Sequence, residues 1–266
     1  MSVSFHTVRS LNGLKNRAKT LAAERSLGHM KSLDIAAQEL GYSSYKKAQQ
    51  VLPASMTMIR VKVRWHEPRY NLKGSETLEY PFIRPLGQML APAKGRRRQR
   101  LGMFVMTSPN VLEVMYPGFP MTQVEARRRA CQTIRELMLM EALDITPAPA
   151  RINAWPTEIG TDRHKYEVRM PGTDHYSVWV TQQGAALIVN EPYHDNSGLP
   201  LQAGWCADKG YDIVTPTWPG MWNPEIGTRM SILARKDSGL DLQDMAKKLD
   251  NLPNDFSQSK WPGLSL

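Results

Sequence analysis

Met56-Thr-Met-Ile-Arg-Val-Lys-Val-Arg-Trp65 is where the chain changes its period. Apolar Ile59, Val61, Val63 and Trp65 alternate with Arg60, Lys62 and Arg64, and a period of two puts one set on each face of a β-strand. The stretch predicts a strand with one apolar and one basic face. The residues before it repeat at helical spacing, and most of those after it read as short strands. The class expected is therefore α+β, a three-helix module followed by mainly antiparallel sheet lobes with one long packed helix.

Upstream, Leu11, Leu14, Ala18, Leu21 and Ala22 fall on one face of a helix between about Val8 and Leu27, with Arg9, Lys15, Arg17, Lys19 and Arg25 between them. Gly28 ends it. Leu33, Ala36, Ala37 and Leu40 line a second helix, closed by Gly41 in the C′ position. Ser43 or Ser44 caps a third, which carries Tyr45, Ala48 and Leu52 and stops before Pro53.

Downstream, residues 78–83, 102–107 and 110–116 read as strands. Thr122 with Glu125 matches a capping box, and Val124, Cys131, Ile134, Leu137, Met138 and Leu143 predict a helix from about Gln123 to Leu143, packed across a sheet. Thr146-Pro-Ala-Pro-Ala150 reads as a linker or element boundary. Beyond it, residues 166–170, 176–181, 185–190, 211–214 and 230–234 read as strands, with Gln182-Gln-Gly184 turning a hairpin. A last helix opens near Asp237 and runs to about Leu249. The organisation expected is a helical module over 1–53, a basic α+β lobe over 54–146, and a β-rich lobe with a C-terminal helix over 151–266.

The chain has 266 residues, 41% hydrophobic and 22% charged, enough for a sizeable core. No run approaches the roughly 18 apolar residues that cross a bilayer. The first sixteen residues show no apolar segment followed by a cleavage site, so no membrane partner and a cytoplasmic address are expected. Cys131 and Cys206 stand too far apart to suggest a metal motif or a disulfide framework, and both are expected to be reduced. Walker-type loops, a Gly-x-Gly-x-x-Gly turn, a Gly-x-Ser-x-Gly elbow and His-Glu-x-x-His are all missing from the sequence, and no cofactor is expected.

Charge is uneven along the chain. Residues 1–150 hold 23 Lys/Arg against 11 Asp/Glu, a net +12, and residues 151–266 hold 11 against 14, a net −3. A basic front half suggests a polyanionic partner, nucleic acid or an acidic protein, with a merely solvated basic face as the competing reading. The candidate contacts are Lys46 and Lys47 on the third helix, beside Gln49 and Gln50, and the run Arg96, Arg97, Arg98 and Arg100 between two strands. Arg127-Arg128-Arg129 repeats the signature, but successive helix positions splay around the axis.

Two other stretches concentrate chemistry: Gly172-Thr-Asp174-His175-Tyr-Ser177 and Glu191-Pro-Tyr193-His194-Asp195. Convergence of these loops would give an acid/base group of Asp174, His175, Glu191 and His194, or a metal set of His175, His194 and Asp195. The competing reading is a pair of turns with hydrogen-bonding side chains.

Ala18-Lys-Thr-Leu21, Gly28-His29, Ser32-Leu33 and Ala36-Ala37-Gln38-Glu39-Leu40-Gly41-Tyr42, with Tyr45 and Leu52, resemble the small helical domain of bacterial glyoxalase-related proteins, over about residues 14–52. The resemblance implies a helical module. Glyoxalase catalysis belongs to a separate metal-binding fold of paired βαβββ units, and residues 53–266 show no such pair with His and Glu ligands. The remainder resembles uncharacterised bacterial proteins of mobile elements. The expectation is a binding protein without catalysis, against two alternatives: a metal-dependent or acid/base enzyme using the 172–177 and 191–195 loops, and a protein-interaction scaffold.

Overall fold

The computed structural model describes residues 10–52, 55–90, 104–114, 120–149, 152–161, 163–193, 199–222 and 228–253. Its contacts divide the chain into two units, Met1–Ile59 with Pro81–Pro85, and Arg60–Tyr80 with Leu86–Leu266.

In the first unit three helices form the expected module: α1 (Leu11–Arg25), α2 (His29–Glu39) and α3 (Tyr45–Val51). Ser10 caps α1 by accepting from the Gly13 N–H, and Ser26, in the left-handed region, ends it two residues before Gly28. Gly41 has φ +82° and closes α2: its N–H donates to the Gln38 carbonyl and that of Tyr42 to the Ala37 carbonyl, satisfying two carbonyls of the last turn. The seam is Leu14, Ala18, Leu21, Leu33, Ala36, Ala37 and Ala48, all buried. The alanines let the axes approach closely, and each leucine removed from water contributes about 2 kcal/mol.

Strand β1 (Thr57–Glu67), most of it in the second unit, turns through Pro68–Tyr70 into β2 (Leu72–Phe82). With β3 (Phe104–Ser108) and β4 (Val111–Val114) they form a sheet of order β2-β1-β4-β3. The β1–β4 pair is parallel, with Arg60 opposite Val111, while β3–β4 and the strand pairs described below are antiparallel, in keeping with the mainly antiparallel lobes expected. Ile59, Val61 and Val63 are fully buried, as their alternation demands. A short helix α4 (Leu86–Leu90) buries Leu86, Met89 and Leu90.

Helix α5 (Gln123–Leu143) has the expected bounds. Its capping box is complete: the Thr122 N–H donates to Glu125 Oε2 at 2.8 Å and the Glu125 N–H to Thr122 Oγ1 at 3.1 Å. The apolar stripe starts at Ala126; Val124, counted in the stripe from sequence, is 52% exposed in the first turn. Leu137 through Met140 are all buried, so this half of the helix is enclosed on every side. At the other end Arg127 meets Glu76 of β2 across 3.1 Å, both nearly dry, and Gln123 donates to the same carboxylate at 2.7 Å.

The segment Thr146–Ala150, expected as a linker or element boundary, begins inside a strand. β5 (Ile145–Pro147) follows α5 after one left-handed residue, Asp144, and forms the edge of a five-stranded antiparallel sheet. The other strands are β8 (Ser177–Thr181), β9 (Ala186–Asn190), β10 (Tyr211–Val214) and β11 (Ser231–Arg235), in the order β10-β11-β9-β8-β5. The Ala148 N–H donates to Val178 of β8 at 2.9 Å, so the flanking Pro147 and Pro149 fall where an N–H would point away from the sheet. Proline fits an edge for this reason. Strand pairing thus runs directly out of α5.

Leu187, Ile188 and Val189 are all buried, which requires cover on both faces. On one, Ile188 and Leu233 pack with Cys206 of α6 (Leu199–Lys209). On the other, α7 (Leu242–Asp250) buries Leu242, Met245, Ala246 and Leu249 and packs on β10, β11 and α5. A small hairpin, β6 (Thr157–Ile159) with β7 (Lys165–Glu167), stands apart; β7 is shorter than the 166–170 strand expected. Helix α6 had no sequence expectation because Pro200 and Gly204 lower its propensity, although proline is tolerated in a first turn.

Candidate functional site

The loop after β7 is stitched to the end of β9. The Asp174 N–H donates to Asn190 Oδ1 at 3.0 Å, and the Glu191 N–H donates to the Asp174 carbonyl at 3.2 Å. His175 is next, with φ +45°, the left-handed region that a histidine enters only when its surroundings hold it there. Its imidazole lies 4.0 Å from the Trp222 ring, inclined by 31°, and 5.1 Å from the Tyr193 ring, edge to face. Nε2 stands 3.6 Å from Asp174 Oδ2, beyond hydrogen-bond reach; it is buried and has no hydrogen-bond partner among the described residues.

Glu191 is fully buried. Its Oε1 accepts from the N–H groups of Met221 at 2.5 Å and Trp222 at 3.1 Å, so a carboxylate at the end of β9 fixes the turn that presents Trp222. On the Trp222 ring the Arg129 guanidinium of α5 lies 5.9 Å from the centroid. Tyr193 is paired with Thr228 through an antiparallel bridge.

Three residues singled out from sequence, Asp174, His175 and Glu191, are therefore gathered in one place. His194 and Asp195 lie outside the described residues. Among the described residues no three His, Cys, Asp or Glu side chains are grouped to hold a metal ion. The Glu191 carboxylate acts as a clamp on backbone. Sequence reasoning gave no site role to Asn190 and Thr228, and weighed Arg129 only within the 127–129 basic run and Trp222 only as one of the tryptophans among Pro and Gly. The one signal in the sequence was Trp218-Pro-Gly-Met-Trp222, a tight aromatic turn, but its partners are remote along the chain.

The basic candidates separate sharply. On β1, Arg60 pairs with Glu79, while Lys62 at 3.6 Å and Arg64 at 2.8 Å both meet Glu113, so this face of the sheet carries its own neutralising carboxylates. The three successive arginines of α5 splay as expected: Arg127 is buried on Glu76, Arg128 is exposed and Arg129 leans on Trp222. Arg96, Arg97, Arg98 and Arg100 lie outside the described residues. Lys46 and Lys47 are exposed on α3 with Gln49 and Gln50. Their helix is fixed at its start, where Ser44 accepts from the Lys47 N–H at 3.3 Å and Asp34 of α2 accepts from the Tyr45 N–H at 2.8 Å.

In the module, acids are committed internally. Glu39 accepts from Arg17 at 2.9 Å and lies 3.7 Å from Arg25, Glu24 lies 3.9 Å from Arg17, and Asp34 holds α3. Lys15, Lys19, Lys31, Lys46 and Lys47 are exposed and form no ion pair among the described residues.

No family model matches the chain, and comparison with curated proteins and with solved structures gave no match.

Proposed function

We infer that the chain is a non-enzymatic nucleic-acid-binding protein that contacts phosphates through the lysines of its helical module. One observation carries the reading: Arg17 and Arg25 of the module are paired with its carboxylates, while five lysines, two of them beside Gln49 and Gln50 on α3, stand exposed and form no ion pair among the described residues. Ammonium groups act as point charges on a polyanion and release its counterions, giving affinity with little sequence preference. Lys62 and Arg64 of β1 share Glu113, and they contribute less.

The test is fluorescence anisotropy on a labelled duplex DNA across a salt series. With about four lysines engaged, affinity falls on the order of a hundredfold between 50 and 200 mM salt. Lys46→Ala with Lys47→Ala lowers the slope of log affinity against log salt by about 1.8, and Arg64→Ala leaves it nearly unchanged. Binding that ignores salt, or ignores the two α3 lysines, removes the reading. Capture of poly-glutamate but not of DNA transfers it to an acidic protein partner.

A further inference from the structure

The second unit holds an independent arrangement that phosphate binding by the helical module leaves unexplained. Arg129, Trp222, His175 and Tyr193, from α5, the 218–222 turn, the 172–175 loop and the end of β9, form one aromatic and cationic cluster. The backbone that carries Trp222 and Tyr193 is tied down. The Trp222 N–H is held by Glu191, Tyr193 is bridged to Thr228, and the Pro192 carbonyl accepts from the Arg229 N–H at 3.1 Å. Yet Tyr193 remains 48% exposed and Trp222 36% exposed. Aromatic surface left in water on an anchored backbone is a stacking platform, since pre-ordering lowers the cost when a flat ring lands on it.

Two further features narrow the ligand. Arg129 and the exposed Arg229 form no ion pair among the described residues. Asn190 Nδ2, Thr228 Oγ1 and His175 Nε2 are buried without a hydrogen-bond partner among the described residues, and Asn190 is fully buried. Such atoms are uncommon in folded proteins, and three at one strand junction leave hydrogen-bonding capacity for a polar edge. A plain hydrocarbon ring matches the aromatic surface but not these donors or the guanidinium groups. A bare phosphate matches the cations but not the rings. A flat heteroaromatic base bearing a phosphate matches all three.

We propose that the Tyr193–His175–Trp222 cluster binds a nucleotide unit, the base stacking on the exposed aromatic surface and the phosphate meeting Arg229 and Arg129. The unit comes from a single strand or from a free nucleotide, and this site is separate from the lysines of the helical module.

The experiment uses the full chain with Lys46→Ala and Lys47→Ala, which removes the module's contribution and keeps the two readings distinguishable. A labelled oligothymidylate of about a dozen nucleotides is titrated by anisotropy, and adenosine monophosphate by quenching of tryptophan fluorescence. Tyr193→Ala weakens binding about tenfold, Tyr193→Phe restores it, and Arg229→Ala weakens it with a smaller salt dependence. Thermal melts establish that each variant is folded. Binding of the oligonucleotide alone assigns the site to a single strand; quenching by the mononucleotide, with displacement of the oligonucleotide, assigns it to a free nucleotide. The proposal is overturned if neither probe binds, or if a folded Tyr193→Ala protein binds as tightly as its parent.

Discussion

The carboxylate of Glu191 occupies the space that a β-carbon on residue 220 would fill. Gly220 has φ +95°, and the N–H groups of the two residues after it donate to Glu191. Glycine is needed there both for the backbone angle and for the close approach. Gly220→Ala is expected to cost about 2 kcal/mol or more. Gly184, at φ +88° with open space around it, serves as the control, and Gly184→Ala should cost about 1 kcal/mol. Urea unfolding measures both; equal losses would show that the Glu191 contact carries no weight.

Arg127 and Glu76 make a buried pair, so removing one partner strands the other charge. Arg127→Leu or Glu76→Leu alone should destabilise by about 3–5 kcal/mol, and the double replacement by much less than their sum. Chemical denaturation of the four proteins gives the coupling. Simple additivity would mean that the two side chains do not depend on each other.

At the start of α5, the Thr122 backbone N–H and then its hydroxyl hold the Glu125 carboxyl below its ordinary value of 4.5, with Arg128 and Arg129 adding to the effect and partial burial opposing it. A lowered acid contributes stability above its unfolded value and loses it as pH falls through the folded one. Glu125→Gln should therefore cost under about 1 kcal/mol near neutrality, since the group is largely solvated, and nothing once the pH is well below about 4. Thr122→Ala should cost about 1 kcal/mol at neutral pH. Thermal melts over a pH series check this; a cost for Glu125→Gln that persists in acid would defeat the account.

Burial pushes the Cys206 thiol up to about 11, and Cys131 is buried as well. Neither should react with a thiol reagent at pH 8 in the folded protein, because the thiolate is the reactive form. Mass spectrometry after brief alkylation should show both free without denaturant and both modified in its presence. Rapid native labelling at Cys206 would contradict its placement against the sheet.

Local periodicity made the module and α5 readable. Leu14, Ala18 and Leu21 are a helix seam in any tertiary setting, and the Thr122–Glu125 box states its own position. Strand β5 was not readable, because Thr146-Pro-Ala-Pro has the residues of a linker and becomes a strand only when β8, more than thirty residues later, accepts it. The basic face of β1 was legible as a pattern, but its neutralisation depends on Glu79 and Glu113, which only sheet pairing brings alongside. At the candidate site, Asp174, His175 and Glu191 were legible as chemistry-bearing types. Trp222 and Arg129 were not, since tertiary contacts alone bring them to the imidazole.

Pro147 of β5 and Pro149 just beyond it have a bearing on how this chain meets its own copies. A sheet margin ordinarily offers a row of amide hydrogens on which a second polypeptide can lay itself down. At Pro147 that hydrogen does not exist, and Pro149 withholds the next one. Sideways growth of the five-stranded sheet is blocked on this flank by covalent chemistry, and replacing both prolines with alanine would open it to self-association.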